Sequence, residues 1–481
     1  MRKRSMLEVV ELMQPAAVEL FGDDADAELE VGPDVVIDNR DAAEGCLFVA
    51  IPGERADGHA FAQAAVDAGA RGVLGMYSTD AKVPHILAED SITAMSWLAR
   101  GIVREERARG MISIGVTGSS GKTSTKDLMA QIFEAAGPTV APSGSQNNEV
   151  GVPLTACRVD AETGYLISEM GARGAGHIAW LTSLVGLDVG VCLNVGRAHV
   201  GEFGGVEATA KAKSEIVADL AEDGWAVLNA DDPAVAAMAE ATRARIAWFG
   251  EGELTGGSLR VTARNVRMNA LSQPSFELVA ADDEGERTAK VALGVIGRHQ
   301  VANSLAAAAA ALAVGLDIDL VAAALSEAVQ RSSWRMELTA RDDGVLILND
   351  AYNANPDSMA AALATAVELV HGTRREHPGA RVVAVLGDML ELGPLAEELH
   401  EEAGRLAADL GVAEVFAVGD LAAQIVAGAT AEGISASVRT RDDIVPALHL
   451  NPGDVVLIKG SRGVGLETVA AALAAEDGAA Q

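Results

Sequence analysis

The sequence predicts an α/β fold of three domains: a small N-terminal α/β domain, a central parallel-sheet domain with a P-loop, and a C-terminal Rossmann-like α/β domain. The 481 residues are enough for roughly three domains. From residue 111 onward, apolar runs alternate with helical stretches, a pattern typical of parallel sheets covered by helices. A glycine-rich turn joins one apolar run directly to a helix, which is the local sequence pattern of a P-loop.

The first predicted domain covers residues 1–105. Short strand-like runs at 35–37, 47–49 and 73–74 alternate with helical stretches. Ser5 and Glu8 have the spacing of a capping box, which predicts a short helix near the start of the chain.

The second predicted domain covers residues 106–332. Buried strands are expected at 111–115, 165–170, 189–194 and 226–229. Helices are expected at 124–136, 301–314 and 320–330. Strand-like runs between 258 and 296 have no helix between them, so an antiparallel insert is predicted there.

The third predicted domain covers residues 333–481. Its strands are expected at 345–348, 382–386, 415–418 and 455–458. One sequence does not reveal the strand order, and a doubly wound sheet is the default for this pattern.

Charge and composition exclude several classes of function. The formal net charge of −32 argues against a nucleic-acid-binding surface, which needs a basic face. Any anion site must be locally basic, because salt screens charges beyond about 8 Å. The three cysteines show neither metal nor disulfide spacing, which suits a reducing compartment. No apolar stretch is long enough to span a membrane, so a cytoplasmic location is expected.

The turn after the first strand of the second domain predicts a site for a nucleoside triphosphate. It comprises Gly118, Ser119, Ser120, Gly121, Lys122, Thr123 and Ser124. Backbone N–H groups in such a turn converge on phosphate oxygens, and the following helix adds partial positive charge. We expect Lys122 to reach the terminal phosphates and the Thr123 hydroxyl to hold Mg²⁺. Val116 stands where the usual spacing has a glycine.

Further polar residues follow the predicted strands, at the edge where an open parallel sheet binds its ligands. Glu169 is a candidate Mg²⁺ ligand, and the alternative is a helix cap or an ion pair. His199 is either a functional or a satisfied structural histidine. Lys211 and Lys213 lie on a predicted helix, where a solvated basic face is the better explanation from the residues alone. Asn303 is either a helix N-cap or a contact to a base.

The strand ends of the third domain are also polar. Residues 349–359 hold more Asn, Asp and Tyr than a turn needs, which indicates a site, with Asp357 as a candidate N-cap. Residues 386–393 end a second strand. Lys459 and Arg462 follow a third strand and are placed to clamp an anionic substrate.

Together these residues resemble the Mur ligases, the ATP-dependent amide-forming enzymes of peptidoglycan assembly. The resemblance runs through all three domains and rests on residues 117–123, Glu169, His199, Ala212-Lys213, 297–303 and Arg335. Within the family, four stretches are similar to the members that add a dipeptide, at 146–154, 349–359, 387–393 and 459–462. An Asp-Asn-Pro-Arg motif is absent, which argues against the members that add meso-diaminopimelate.

The resemblance implies a role for each matching position. The implied catalytic residues are Lys122, His199 and Lys213. The implied ATP contacts are Gly118, Ser119, Ser120, Gly121, Lys122, Thr123, Ser124, Asn303 at the adenine, Arg335 at the phosphates and Asp350 at the ribose. The implied ligands of two Mg²⁺ ions are Thr123, Glu169, His199 and Lys213, the lysine as a carbamate. The implied substrate contacts are Asn39, Arg40, Asn147, Asn148, Tyr352, Asn353, Asn355, Lys459 and Arg462.

The implied substrates are UDP-N-acetylmuramoyl-tripeptide and D-alanyl-D-alanine, joined through an acyl phosphate by a cytoplasmic monomer. Residues 38–40 and 57–59 resemble the uridine-binding segment of the family, although Asn39 stands where serine is more common. Three alternatives remain open at this point. They are another enzyme of the superfamily such as a folylpolyglutamate synthase, a regulatory P-loop ATPase without ligation, and a catalytically silent scaffold.

Overall fold

The computed structural model describes residues 1–22, 26–53, 56–196 and 205–475 of the chain. Four sheets organise this part of the molecule, and each of the three larger sheets belongs to a different region of the sequence. The elements follow in chain order.

The N-terminal region contains a five-stranded sheet and a two-stranded ribbon. Its strands are β1 (Arg4–Ser5), β2 (Val18–Phe21), β3 (Glu30–Val31), β4 (Val35–Val36), β5 (Leu47–Val49), β6 (Gly72–Gly75) and β7 (His85–Ala88). Its helices are α1 (Met6–Leu12), α2 (Ala62–Asp67) and α3 (Ser91–Arg107). The larger sheet has the order β2-β7-β6-β5-β4, with β2 antiparallel to β7 and the others parallel. The predicted capping box of Ser5 and Glu8 opens α1 and is confirmed.

The central region forms a nine-stranded sheet. Its strands are β8 (Ile112–Thr117), β9 (Thr139–Val140), β10 (Tyr165–Glu169), β11 (Val189–Cys192), β12 (Trp225–Asn229), β13 (Arg245–Phe249), β14 (Leu259–Met268), β15 (Pro274–Asp282) and β16 (Gly285–Ala292). Their order in the sheet is β16-β15-β14-β13-β12-β11-β8-β10-β9. The antiparallel run β14-β15-β16 is confirmed, but it continues the parallel sheet through β13 and is not a separate insert.

Helices cover both faces of this sheet. They are α4 (Lys122–Ala136), α5 (Gly151–Ala156), α6 (His177–Val185), α7 (Val206–Ala218), α8 (Pro233–Ala236), α9 (Gln300–Ala313) and α10 (Ile318–Glu327). The alanine-rich α9 packs in the core with α4 and α10, because small side chains permit a close approach. On the opposite face, α5 and α6 share one apolar core with α3 of the N-terminal region.

The C-terminal region forms a six-stranded sheet of order β17-β18-β22-β19-β20-β21, in which only β17 is antiparallel. Its strands are β17 (Glu337–Ala340), β18 (Leu346–Asp350), β19 (Val382–Gly387), β20 (Glu414–Val418), β21 (Ser435–Val438) and β22 (Val455–Lys459). Its helices are α11 (Pro356–Thr373), α12 (Ala396–Asp409), α13 (Ala422–Ala431), α14 (Arg441–Ala447) and α15 (Glu467–Ala475). Separate apolar cores line the two faces, so the sheet is doubly wound as predicted.

The molecule is therefore a three-domain α/β protein, and the predicted fold class is confirmed. Within the described ranges, no helix is long and apolar enough to cross a membrane. The carboxyl ends of β8, β10 and β11 meet at one edge of the central sheet. The carboxyl ends of β18, β19 and β22 meet likewise in the C-terminal sheet. These two edges position the site.

Candidate active site

A cavity of about 700 Å³ lies between the central and C-terminal domains. Its central wall is formed by the phosphate loop and the ends of neighbouring strands. Its opposite wall includes the end of β18, the residues that follow it, and Lys459 at the end of β22. Of the predicted site residues, the cavity wall includes Ser119, Ser120, Gly121, Lys122, Thr123, Ser124, Asn147, Asn148, Glu169, Lys213, Asn303, Arg335, Asp350, Tyr352, Asn353, Asn355 and Lys459. Residues separated by more than three hundred positions in sequence thus face one space.

The phosphate loop is a strand–turn–helix unit that runs from β8 into α4. Gly121 has φ +81, and a Cβ there would lie 2.6 Å from Asn303 Oδ1, so the turn requires glycine. Helix α4 begins at Lys122, two residues before its predicted start, and points its free N–H groups at the turn. The Lys122 ammonium donates a hydrogen bond to the Gly118 carbonyl, 2.7 Å away. The loop therefore has the shape and the donors that bind phosphate.

Asn194, which follows β11, holds this loop in place. Its Oδ1 accepts hydrogen bonds from the backbone N–H groups of Ser119 and Ser120, each 2.9 Å long. Its backbone carbonyl accepts a further bond from Ser119. Sequence reasoning did not select Asn194, although its position two residues after the end of the buried strand β11 is a signal that could have identified it.

Lys213 is buried, with 3% of its surface exposed, whereas Lys211 on the same helix is exposed. The solvated basic face that the residues alone favoured is therefore wrong for Lys213. Burial, and secondly the nearby charge of Lys122, lowers the pKa of the Lys213 amine to about 7. An amine with this pKa is largely neutral in mildly alkaline solution, and a neutral amine is nucleophilic.

Glu169 ends β10 and is fully buried. Its Oε1 accepts hydrogen bonds from Ser145 Oγ and Asn147 Nδ2, both at 2.8 Å. Its Oε2 has no hydrogen-bond partner in the described part of the chain. A buried carboxylate oxygen without a partner is costly, and a cation would satisfy it.

The chemistry of this wall fits Mg²⁺. Glu169 Oε2 and the Thr123 hydroxyl are oxygen donors in the same cavity. In the described ranges, no three His, Cys, Asp or Glu side chains form a ready-made metal cluster. Mg²⁺ in nucleotide sites takes one or two protein ligands and fills the rest of its shell with phosphate oxygens and water, so a sparse donor set is what it requires.

Asn303 lies inside α9 and not at its start, so the N-cap alternative is wrong. Its Oδ1 accepts a hydrogen bond from Thr125 Oγ1 at 3.2 Å, and its Nδ2 donates to Gln300 Oε1 at 2.9 Å. The side chain thus lies beneath the phosphate loop and forms part of the cavity wall. Its role at the adenine stays a prediction.

Arg335 connects the two walls. Its Nη2 donates to Thr123 Oγ1 at 3.1 Å, and its guanidinium lies 4.1 Å above the ring of Tyr352. Trp334 and Met336 on either side both have positive φ, at +61° and +53°. Non-glycine residues rarely adopt this conformation, so the chain is strained where it crosses between the domains.

Lys459 and Asp350 form a buried ion pair with a distance of 2.5 Å. They are adjacent in register on β22 and β18. Lys459 also donates to the Asn353 carbonyl at 2.9 Å, and Asp350 accepts a bond from the Met336 N–H at 3.1 Å. The Lys459 ammonium thus neutralises Asp350 while it lines the cavity, and its role in binding an anionic substrate stays a prediction. Burial lowers the pKa of Lys459, and Asp350 opposes this shift.

Two polar residues of the cavity hold the backbone at the start of a helix. Asn355 is the N-cap of α11, with Pro356 at the first helical position, so the N-cap prediction for Asp357 is wrong. Asn148 Oδ1 accepts a bond from the Gly151 N–H at 2.9 Å at the start of α5. The Asn353 side chain is exposed at the cavity wall, where its Oδ1 accepts a hydrogen bond from the Ala354 N–H at 2.8 Å.

Some predicted site residues lie elsewhere. Asn39 and Arg40 follow β4 in the N-terminal domain, outside the cavity wall, and the Arg40 side chain pairs with Asp38 at 2.5 Å. Arg462 lies beside the cavity, 5.5 Å from the ring of Tyr352. His199 lies outside the described residues.

The fold and the loop define a three-domain α/β protein that contains a P-loop. The family model described as "Mur ligase middle domain" matches residues 116–311. The model "Mur ligase, glutamate ligase domain" matches 334–462, and "Mur ligase family, catalytic domain" matches 34–102. The chain belongs to the Mur ligase family.

Individual relatives in this family are similar to the chain over nearly its whole length. UDP-N-acetylmuramoyl-tripeptide–D-alanyl-D-alanine ligase of Mycobacterium tuberculosis (strain ATCC 25618 / H37Rv) is 41% identical over 98% of both chains. The crystal structure of MurF from Acinetobacter baumannii superposes with a TM-score of 0.82 at 29% identity, covering 97% of this chain and 98% of that one. MurF ligase from Thermotoga maritima in complex with ADP gives a TM-score of 0.74 at 27% identity, covering 93% and 98%.

Proposed function

We propose that this protein is an ATP-dependent ligase that joins D-alanyl-D-alanine to UDP-N-acetylmuramoyl-tripeptide in peptidoglycan synthesis, with release of ADP and phosphate. One observation carries the proposal: a phosphate loop and a polar wall from a second doubly wound domain face each other across one cavity. A nucleotide-hydrolysing switch needs the loop but not the second wall. The names of the relatives, at up to 41% identity over nearly the whole chain, supply the substrates.

ATP binds at the phosphate loop. Loop N–H groups and the start of α4 hold the phosphates, and Lys122 exchanges its bond to Gly118 for a phosphate oxygen. Arg335 reaches the same phosphates from its position beside Thr123. The ADP-bound relative from Thermotoga maritima supports nucleotide binding by this architecture.

Thr123 and Glu169 would hold a first Mg²⁺ ion beside the nucleotide, and Lys213 in its carbamate form would hold a second together with His199. When bound, the ions neutralise charge on the triphosphate and on the carboxylate that approaches it. The unpartnered Oε2 of Glu169 supports this assignment.

Carbamate formation at Lys213 follows from its burial. The neutral amine adds to CO₂ and releases one proton to solvent, so it becomes an anionic carbamate with two oxygen donors. The lowered pKa of about 7 makes the neutral form available near neutral pH. The exposed Lys211 has no such environment, so we assign the carbamate to Lys213 and not to Lys211.

The reaction activates a carboxylate that an amine does not attack unaided. An oxygen of the tripeptide carboxylate attacks the γ-phosphorus of ATP, ADP leaves, and an acyl phosphate forms. The dipeptide amine then attacks the carbonyl carbon, phosphate leaves and the nitrogen loses a proton. Lys122 and Arg335 stabilise the charge on the transferring oxygens, and losing one such contact costs about 3–4 kcal/mol.

We assign one substrate to each domain. Residues 1–105, with Asn39 and Arg40, bind the UDP group, 106–332 bind ATP, and 333–481 bind the amine. Tyr352, Asn353 and Arg462 face the peptide substrates from the third domain. We place the reaction in the cytoplasm. One chain supplies both walls of the cavity, so we propose that the protein works as a monomer.

Mass spectrometry of the product tests the proposal. The protein is incubated with ATP, D-alanyl-D-alanine and UDP-N-acetylmuramoyl-tripeptide, and the tripeptide should gain the mass of the dipeptide minus water. ATP hydrolysis without any ligated product would favour a regulatory ATPase. Ligation of glutamate to a folate in place of the dipeptide would favour a folylpolyglutamate synthase.

A further inference from the structure

Arg173 lines the cavity and keeps most of its hydrogen-bond donors free. It lies in the turn after β10, four residues beyond Glu169, and His177 of the same turn also lines the cavity. One N–H of its guanidinium donates to Glu149 Oε1 at 2.6 Å, and within the described part of the chain the side chain makes no other hydrogen bond. The side chain is 64% exposed, so the remaining N–H groups can reach a ligand.

Hydrogen bonds fix the turn that carries Arg173. The Arg173 backbone N–H donates to His177 Nδ1 at 3.2 Å. The carboxylate of Glu215, on α7, accepts bonds from the N–H groups of Gly176 and Ala179 at 2.6 and 3.0 Å. Because Glu215 already satisfies the start of α6, an anion bound here would contact the Arg173 side chain and not the end of the helix. A fixed turn also lowers the entropic cost of binding through that side chain.

Helix α3 of the N-terminal domain runs in the same direction as α6. At its start, Ser91 Oγ donates to the carbonyl of Ala50, the residue that follows β5, at 2.8 Å. At its end, Arg107 pairs with Asp188, which lies between α6 and β11. Between these ends, α3 packs against α5 and α6. The carboxyl edge of the N-terminal sheet and the start of α6 are therefore at the same end of α3.

This arrangement defines a path for a substrate that reaches both edges. The UDP group is assigned to the residues after β4, at the carboxyl edge of the N-terminal sheet, and the reacting carboxyl group must meet the phosphate loop in the cavity. The peptide between these two ends has to pass the start of α6, where Arg173 lies. A glutamyl residue linked into this peptide keeps one carboxylate that is not part of a peptide bond.

We propose that Arg173 binds the free carboxylate of the glutamyl residue of the UDP-tripeptide and so directs the reacting carboxyl group toward the phosphate loop. A carboxylate accepts two N–H groups of a guanidinium at once, which fixes its orientation as well as its position. The Cα atoms of Arg173 and Glu169 are at most about 14 Å apart, because four residues separate them. The proposal rests on the proposed ligase function and names a residue that recognises its peptide substrate.

Steady-state kinetics of Arg173→Gln measure the contact. KM for the UDP-tripeptide should rise about 10- to 100-fold, as expected for loss of a hydrogen bond between charged groups. KM for ATP and for D-alanyl-D-alanine should stay within about twofold, because Arg173 contacts neither. Arg264→Gln is the matched control. Arg264 forms a similarly exposed ion pair with Glu286 away from the cavity wall, so its replacement should leave all three constants unchanged.

A UDP-tripeptide amidated at the glutamyl carboxylate tests which group Arg173 recognises. The wild type should show for this amide the same rise in KM that Arg173→Gln shows for the acid. Amidation should change KM of Arg173→Gln by less than about twofold, because the variant has already lost the contact. Amidation that weakens the wild type and the variant by the same factor would overturn the proposal.

Glu149→Gln separates substrate recognition from a structural role of the ion pair. If Arg173 served only to hold Glu149, both Glu149→Gln and Arg173→Gln would raise KM for the UDP-tripeptide to the same extent. We expect Glu149→Gln to keep the preference of the wild type for the acid over the amide, because the guanidinium is still present. Equal loss of this preference in both variants would refute the contact.

The wild-type enzyme distinguishes failure of this proposal from failure of the proposed function. An active wild type whose Arg173→Gln variant keeps an unaltered KM for the UDP-tripeptide would overturn this proposal alone. A wild type that ligates nothing would overturn the ligase function with it.

Discussion

Replacing Lys213 by methionine should make the protein more stable and inactive at once. Methionine has a similar length and no charge, so it fills the space of the buried lysine without the cost of desolvating an amine. The pKa of Lys213 is about 7, against 10.5 for an ordinary lysine. At a pH between 7 and 10.5, the amine is therefore mostly neutral in the folded protein and takes up a proton when the chain unfolds. This proton uptake favours the unfolded state, so the lysine opposes folding.

The size of the effect follows from this difference. Each pH unit corresponds to about 1.4 kcal/mol, so the lysine lowers the free energy of unfolding by roughly 5 kcal/mol at pH 6. Between pH 7 and 10.5 the unfolded chain binds more protons than the folded one, and the stability of the wild type rises with pH. At pH 9 the penalty falls to roughly 2 kcal/mol.

Urea unfolding of the wild type and of Lys213→Met, followed by tryptophan fluorescence in CO₂-depleted buffer from pH 6 to 9, measures the difference in their free energies of unfolding. The advantage of Lys213→Met over the wild type should shrink by roughly 3 kcal/mol across the range. Lys211→Met, on the exposed face of the same helix, is the control and should show no such trend. A difference that is flat with pH, or a variant less stable than the wild type at pH 6, would refute the reasoning.

The role of Lys213 can also be tested through enzyme activity. Lys213→Ala should lose activity and partly recover it when short carboxylic acids are added, because their oxygens replace those of the carbamate. No recovery, together with an unmodified amine in a high-resolution density map, would rule out the carbamate.

Three further predictions concern the cavity. Lys122→Ala should lose at least about 100-fold in turnover, measured by phosphate release, and near-normal turnover would contradict the ATP assignment. Asn194→Ala should weaken ATP binding about tenfold in calorimetry while ligand-free stability changes little, because the loop loses two backbone anchors. Small-angle scattering should show compaction when an ATP analogue and the UDP-tripeptide bind, and an unchanged profile would argue against domain closure.

The local features of the fold were predictable from the sequence. The Ser5–Glu8 capping box and the phosphate loop depend on neighbouring residues, and both appear where the sequence predicts them. The N-cap of α11 could also have been predicted from the sequence. Proline favours the first helical position, so Pro356 identifies Asn355 as the N-cap. Neighbouring residues determine such features, so a short stretch of sequence is enough to predict them.

The features that sequence reasoning missed depend on strand order and packing. Asp350 and Lys459 pair because β18 and β22 are neighbours, although 109 positions separate them in sequence. Lys213 is buried because α7 packs against the central sheet, which the helix sequence does not reveal. Both require the three-dimensional arrangement, and both alter the electrostatics of the cavity.

Transfer of labelled oxygen tests the central claim most directly. UDP-N-acetylmuramoyl-tripeptide is prepared with ¹⁸O in the carboxyl group that reacts, and the inorganic phosphate released during ligation is analysed by mass spectrometry. An acyl phosphate intermediate predicts one ¹⁸O atom in each phosphate, because the oxygen that attacks ATP leaves with the phosphorus. Phosphate without label, alongside full formation of product, would contradict activation of the carboxylate by ATP.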